Sequence, residues 1–222
     1  MKRKIYSIWL ILCLAAGLAA GCGKHENDGE YSGQKESSVI VTMPTSSEPE
    51  AGFNPVYGWG AGEHVHEPLI QSTLLRTNEQ LQLEKDLATD YQVSADGLCW
   101  TVAIRQDVRF TDGEPLTAED VAFTYNTCRD NSSVNDFSMM EEAVAVSAYQ
   151  VEFHLNRPYS IWPYTMANVG IVPEHAYDAD YGSHPIGSGR YVMKQWDRGQ
   201  QVVLEANPDY YGEQPKMTRV TV

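Results

Sequence analysis

Asp96-Gly97-Leu98-Cys99-Trp100-Thr101-Val102-Ala103-Ile104-Arg105-Gln106-Asp107-Val108-Arg109-Phe110-Thr111-Asp112-Gly113-Glu114-Pro115-Leu116-Thr117-Ala118-Glu119-Asp120-Val121 contains a turn, a strand, a second turn and a helix start in one run. Asp96-Gly97 supplies the positive φ that a tight hairpin needs. In the strand that follows, Leu98, Trp100, Val102 and Ile104 alternate with Cys99, Thr101 and Ala103, so one face is buried. Arg105 and Asp107 are spaced to pair at the strand end, and Asp112-Gly113 makes the next turn. Thr117 stands where a helix cap belongs, and Glu119 and Asp120 suit the positive end of the helix dipole. Val121, Phe123, Thr124 and Cys128 then fall on or near one helix face.

Working outward, residues 91–93 pair with 98–104 across the Asp-Gly turn, and residues 73–76 and 81–83 flank a second hairpin turn at 77–80. Val39-Ile40-Val41 reads as a buried first strand. Residues 43–62, rich in Pro, Gly and Ser around Phe53-Asn54-Pro55, read as a loop. Residues 63–72 suit a short helix whose start is limited by Pro68. Downstream, a polar loop at 130–136 precedes an antiparallel pair, 143–146 with 151–155, turning at Ala148-Tyr149. The aromatic stretch 158–166 reads as helical and Ile171-Val172-Pro173 as a short strand. Residues 191–193 and 202–204 pair around 197–200, and Val220-Thr221-Val222 is strand-like. No repeat of fixed period occurs, and hairpins mixed with single helices indicate an α/β fold with a mixed sheet. A strand at the very end predicts an open edge, and with it a chain that is part of a longer protein.

The N-terminus speaks for export. Basic Lys2, Arg3 and Lys4 precede an apolar stretch, residues 8–20, too short for a spanning helix, and Ala19-Ala20-Gly21 leads to Cys22. This order predicts a lipoprotein signal peptide over residues 1–21 with lipidation at Cys22, although Ala19 stands where such signals commonly carry Leu. A polar, flexible tether follows over residues 22–38, and the folded domain spans 39–222. Beyond Cys13 and Cys22, two cysteines are left; a Cys99–Cys128 disulfide and two separate thiols are both open. The chain has 16 Lys+Arg and 30 Asp+Glu, so loss of the three leader bases leaves 13 against 30, about −17. That balance argues strongly against nucleic acid as a partner.

The run from Asp96 to Val121 resembles the signature of the family 5 extracellular solute-binding proteins, the peptide and nickel receptors of ABC importers. Further pieces follow in the family's order: Glu67-Pro68-Leu69-Ile70, Ile171-Val172-Pro173-Glu174, Pro185-Ile186-Gly187-Ser188-Gly189 and Asn207-Pro208-Asp209-Tyr210-Tyr211-Gly212. The resemblance covers residues 39–222. It implies a periplasmic-binding-protein-like (type II) first lobe with a mixed β-sheet and a hairpin subdomain, truncated before the second lobe. It also implies a small peptide ligand held between lobes, permease subunits as partners, an extracytoplasmic place at the cell membrane, and no cofactor. The acidic residue that holds the peptide amino terminus in relatives falls outside the matched part.

By position in the family, Tyr57 and Trp59, set among glycines, border the cleft. Phe137, Trp162, Met166 and Asn168 are further candidates, since aromatics and methionine adapt to varied side chains. His64 and His66, beside Glu67, are the candidates if the ligand is instead nickel or a metal chelate. Gly187-Ser188-Gly189 lacks the lysine of a phosphate loop and reads as a structural turn. No nucleophile-elbow or similar spacing occurs, so the chain is read as a non-enzyme, with a secreted lipoprotein hydrolase as the remote alternative.

Overall fold

The computed structural model describes residues 37–57, 68–132 and 135–222. Three sheets organise them. β4 (Ala88–Val93), β5 (Cys99–Ile104), β6 (Met140–Ser147) and β7 (Gln150–Leu155) form an antiparallel sheet of order β4-β5-β7-β6. β1 (Ser38–Ile40), β8 (Tyr191–Asp197), β9 (Gln201–Ala206) and β10 (Arg219–Thr221) form a mixed sheet of order β1-β10-β9-β8. β2 (Leu75–Thr77) and β3 (Leu83–Lys85) make a hairpin. Two helices complete the set, α1 (Ala118–Asn131) and α2 (Trp162–Asn168). The α/β class and the mixed sheet expected from the residues are thus present.

The central sheet follows the alternation seen in the sequence. Trp100, Val102 and Ile104 of β5 are buried and Cys99, Thr101 and Ala103 are half-buried. β7 repeats the pattern with Val151, Phe153 and Leu155 inward. The β4–β5 turn closes with Gly97 at φ 75°, and Asp96 Oδ1 accepts from the Leu98 amide at 3.1 Å. Arg105 and Asp107 pair as expected, with two hydrogen bonds of 2.9 and 2.6 Å. Arg105 also lies 4.9 Å from the centroid of the Tyr211 ring.

Helix α1 packs its Val121, Tyr125 and Cys128 face against this sheet. Its N-terminus is held by a buried carboxylate: Asp120 Oδ2 accepts from the Thr117 amide at 2.9 Å, and Oδ1 accepts from the Glu174 amide at 3.1 Å. One side chain therefore caps the helix and ties it to the 3₁₀ turn at Glu174–Ala176. Cys128 sits under the sheet's inner face while Cys99 faces outward, and both thiols are free. The disulfide left open by the sequence is not formed.

Other expectations change. β1 is a strand, but it is an exposed edge, with Ile40 77% accessible, because no described element covers it. β10 is not the open edge: it pairs parallel with β1 and antiparallel with β9. Residues 68–72 are not helical, because the carbonyls of Leu69, Ile70 and Ser72 accept from Tyr191, Gly189 and Ile171. Residues 171–173 form no strand: the Ile171 amide goes to Ser72 and the Val172 amide to the Thr124 hydroxyl, so no ladder builds. The helix expected over 158–166 begins later, at Trp162.

An aromatic cluster fills the centre of the larger core. Tyr125 meets Phe153, Trp162 and Phe137 at centroid distances of 4.6, 5.8 and 6.2 Å. Its hydroxyl is buried without a hydrogen-bond partner among the described residues, and burial pushes its pKa well up. Tyr125→Phe keeps the ring contacts and removes an unpaired polar group. Urea unfolding is expected to show it neutral or more stable by up to about 1 kcal/mol; a loss of that size would mean the hydroxyl has a buried water partner.

His175 Nε2 lies 2.7 Å from Asp112 Oδ2, linking the 3₁₀ turn to the Asp-Gly turn of the opening motif. Its hydrogen bond to Asp112 raises the His175 pKa above its ordinary value. A raised folded-state pKa means stability that is whole below about pH 6.5 and is lost as pH rises through the folded value. The Tm difference between the native chain and His175→Gln should therefore be largest near about pH 5.5 and shrink as pH rises past about 6.5; a difference that grows with pH would contradict this pairing.

Candidate functional site

Residues 53–57, 68–71 and 177–186 are tied together by buried side chains and main-chain hydrogen bonds. Phe53 is fixed by its amide, which donates to Gly182 O at 2.8 Å. Asn54 is buried; its Oδ1 accepts from the Val56 amide at 3.0 Å and its Nδ2 donates to Tyr177 Oη at 3.1 Å. Gln71 is buried too, donating through Nε2 to Phe53 O and Tyr181 Oη at 3.2 and 3.1 Å. Tyr181 in turn donates to Ile186 O at 2.7 Å. The loop ending at Tyr57 is thereby held by side chains the sequence reading did not single out. Asn54 and Gln71 looked like loop and helix polars, and only their burial marks them.

Gly170 closes the same region. A Cβ built there would lie 2.8 Å from Gln71 Cβ, 3.2 Å from Pro68 Cγ and 3.3 Å from Pro55 Cβ. Pro55 and Pro68, either side of residues 58–67, thus meet around one glycine that follows α2 by two residues. Tyr57 is 43% exposed at this rim. Asn168, the last residue of α2, is half-buried, and its side-chain amide has no hydrogen bond to a described residue. Tyr57 and Asn168 are thus the described candidates whose side chains keep accessible surface.

The other candidates have different places. Phe137, Trp162 and Met166 are buried in the larger core, Trp162 with no accessible surface. Trp162 stacks edge-on against Phe153 at 5.3 Å. Side chains enclosed in this way have no surface to offer a ligand, and their role here is packing. Trp59, His64, His66 and Cys22 lie outside the described residues.

A groove of about 370 Å³ lies beside the rim, lined chiefly by Val41, Phe53, Ile70, Leu204, Val220 and Val222. Phe53 and Gln71 wall it and also anchor the loop that ends at Tyr57. Its polar side chains are partly engaged: Glu48 Oε1 accepts from Trp196 Nε1 and the Gly199 amide, both at 2.8 Å. The groove suits burial of apolar groups better than reading of a polar backbone. A second, shallower opening of about 410 Å³ runs along α1 past Phe123, Asn126 and Glu174.

The rim depends on a close backbone approach. A Cβ on Gly187 would stand 2.0 Å from Ile70 O, and one on Gly189 2.5 Å from Leu69 O. Gly113 has positive φ but open space around it. Gly113→Ala should cost about 1–2 kcal/mol from conformation alone, whereas Gly187→Ala, forced against main chain, should cost about 3 kcal/mol or more or give insoluble protein. Chemical denaturation of both variants checks the order; equal losses would contradict the close approach.

Comparison with known proteins adds the following. The profile of the bacterial extracellular solute-binding proteins, family 5 Middle, matches residues 82–222. Protein XP55 of Streptomyces lividans is 33% identical over 202 residues, covering 86% of this chain and 36% of that protein. The oligopeptide-binding protein AppA of Bacillus subtilis, solved with a nonapeptide, superposes with a TM-score of 0.70 at 28% identity, over 84% of this chain and 40% of that one. NikZ of Campylobacter jejuni, solved with Ni(L-His), gives 0.73 at 26% identity, over 84% and 38%. The chain spans well under half the length of each of these three relatives.

Proposed function

Because the chain belongs to the bacterial extracellular solute-binding proteins of family 5, we propose that it serves as the ligand-capturing component of an ABC importer for small peptides. The observation that carries this reading is the fold shared with AppA, a protein solved with a nonapeptide bound. Tyr57 and Asn168 are the described residues assigned to the ligand side, with Trp59 two residues after Tyr57 in sequence. A side-chain amide without a partner among the described residues suits a peptide backbone, and a half-exposed tyrosine suits side chains of varied shape. Capture is binding without chemistry: the chain is assigned no catalytic residue.

Residues 1–21 are proposed as the leader, 22–38 as the tether, its last residue Ser38 already paired in β1, and 39–222 as the family domain. Cys22 takes the lipid in this reading, and several acyl chains on one cysteine give stable anchoring close to the permease. The place of action is outside the cytoplasmic membrane. Among the described residues no helix is long and apolar enough to cross it.

A second reading, capture of a nickel or metal chelate, is favoured by the likeness to NikZ and would draw on His64 and His66. Thermal-shift and calorimetric titration of the protein, at the length its gene encodes, separates the two. Pools of two- to five-residue peptides are compared with Ni²⁺ given with and without histidine. A peptide at about 100 times its Kd adds about 2.7 kcal/mol of stability, and Tyr57→Ala should weaken that binding at least tenfold. Stabilisation by nickel alone, abolished in His64→Ala/His66→Ala, would overturn the peptide reading; no response to either ligand would overturn both.

A further inference from the structure

The outer face of the central sheet carries a group of side chains with no part in the site above. Cys99 on β5 and His154 on β7 are directly opposite each other in the antiparallel register, and Glu152 is one same-face position further along β7. One ligand atom from each of Cys99, Glu152 and His154 lies within 4.8 Å of the other two. All three residues are half-buried. His154 Nε2 and Glu152 Oε2 are 3.4 Å apart. Two nitrogen or oxygen ligands of a tetrahedral zinc ion, each about 2.0–2.2 Å from the metal, are separated by about 3.3–3.5 Å.

We infer that Cys99, Glu152 and His154 form a binding site for a divalent late transition metal of the zinc class, on the face of the sheet opposite the core. The donor set decides the class. A thiolate and an imidazole select zinc-like ions over magnesium and calcium, which take oxygen ligands. Three protein donors leave the fourth tetrahedral position for water or an outside ligand.

The scaffold holds the geometry. The inward neighbours Trp100, Val151, Phe153 and Leu155 are buried in the core, so the strand spacing beneath the site is set by packing. The surroundings are negative. Asp96 and Glu152 both act on the Cys99 thiol, and burial together with Glu152 raises its pKa, so metal binding must release the thiol proton to solvent. On the next strand Glu142 stands opposite His154 in register, exposed, and adds a carboxylate to the same face. The site shares no residue with the His64/His66 alternative, and it stands whether or not the peptide reading holds.

Cobalt(II) titration of the full chain is the test, because a thiolate–cobalt bond gives near-ultraviolet charge-transfer absorption. The band should appear at one equivalent, persist in Cys22→Ser, Cys128→Ser and His64→Ala/His66→Ala, and vanish in Cys99→Ser. Zinc affinity by calorimetry should fall at least tenfold in both Glu152→Gln and His154→Gln. Circular dichroism checks the folding of each variant. As a readout needing no substitution, zinc should slow alkylation of Cys99 by iodoacetamide at least tenfold, followed by peptide mass spectrometry. Absence of the band, its survival in Cys99→Ser, zinc affinity within twofold of the native chain in either carboxamide variant, or unchanged alkylation would overturn the site.

Discussion

The backbone of Gly187-Ser188-Gly189 lies directly on the backbone of Leu69-Ile70, and the rest of the described structure is arranged around that contact. The Gly189 amide donates to Ile70 O at 2.8 Å, the Tyr191 amide to Leu69 O at 3.0 Å, and Ser72 Oγ to Ser188 O at 2.9 Å. Gly187 O accepts from the Thr111 amide at 2.9 Å, and Asn207 Nδ2 donates to Gly189 O at 3.0 Å. Main chain from several distant parts of the sequence thus meets with its hydrogen bonds satisfied. The junction also joins two cores. Ile70, Tyr191 and Leu204 belong to the smaller one, while Leu74, Phe110 and Ile171 belong to the larger. No side chain fits at the glycines, so the two cores are coupled by main-chain geometry as well as by apolar contact.

The candidate ligand rim follows from this coupling. The Leu69 and Ile70 carbonyls accept from the junction and the Ser72 carbonyl from Ile171, so residues 68–72 are not a helix. Gln71 then reaches Phe53 and Tyr181, which fixes the loop before Tyr57. The central sheet is organised differently. Its inner face is closed by α1, and the buried Asp120 carboxylate locks the helix start to Glu174. Its outer face mixes polar side chains with Ala103 and Val144, and the antiparallel register decides which of them are neighbours.

Much of this was legible in the residues. Positive-φ turns at Asp96-Gly97 and Asp112-Gly113, the buried alternation of β5, the Arg105–Asp107 pair, and the hairpins β6–β7 and β8–β9 are local signals, and each appears. Aromatics misled where their chemistry serves two purposes. Phe137 and Trp162 are as fit for a core as for a cleft, and only their neighbours Tyr125 and Phe153 reveal which. β1 misled for the opposite reason: three apolar residues suggest burial, yet burial depends on what lies on top.

What the sequence by itself determined is whatever depends on a few adjacent residues: the turns, the strand faces, the start of α1, and the family likeness those spacings carry. The backbone dihedrals allowed to Asp-Gly, or the period of a strand, need no distant partner to be read. The tertiary structure alone decided which residues become neighbours across the chain. It brought Cys99 to Glu152 and His154, set β10 between β1 and β9, and enclosed Trp162 while leaving Tyr57 at the surface. The physical reason is that register, burial and backbone approach are properties of packed pairs, and a pair far apart in sequence exists only once the chain has folded.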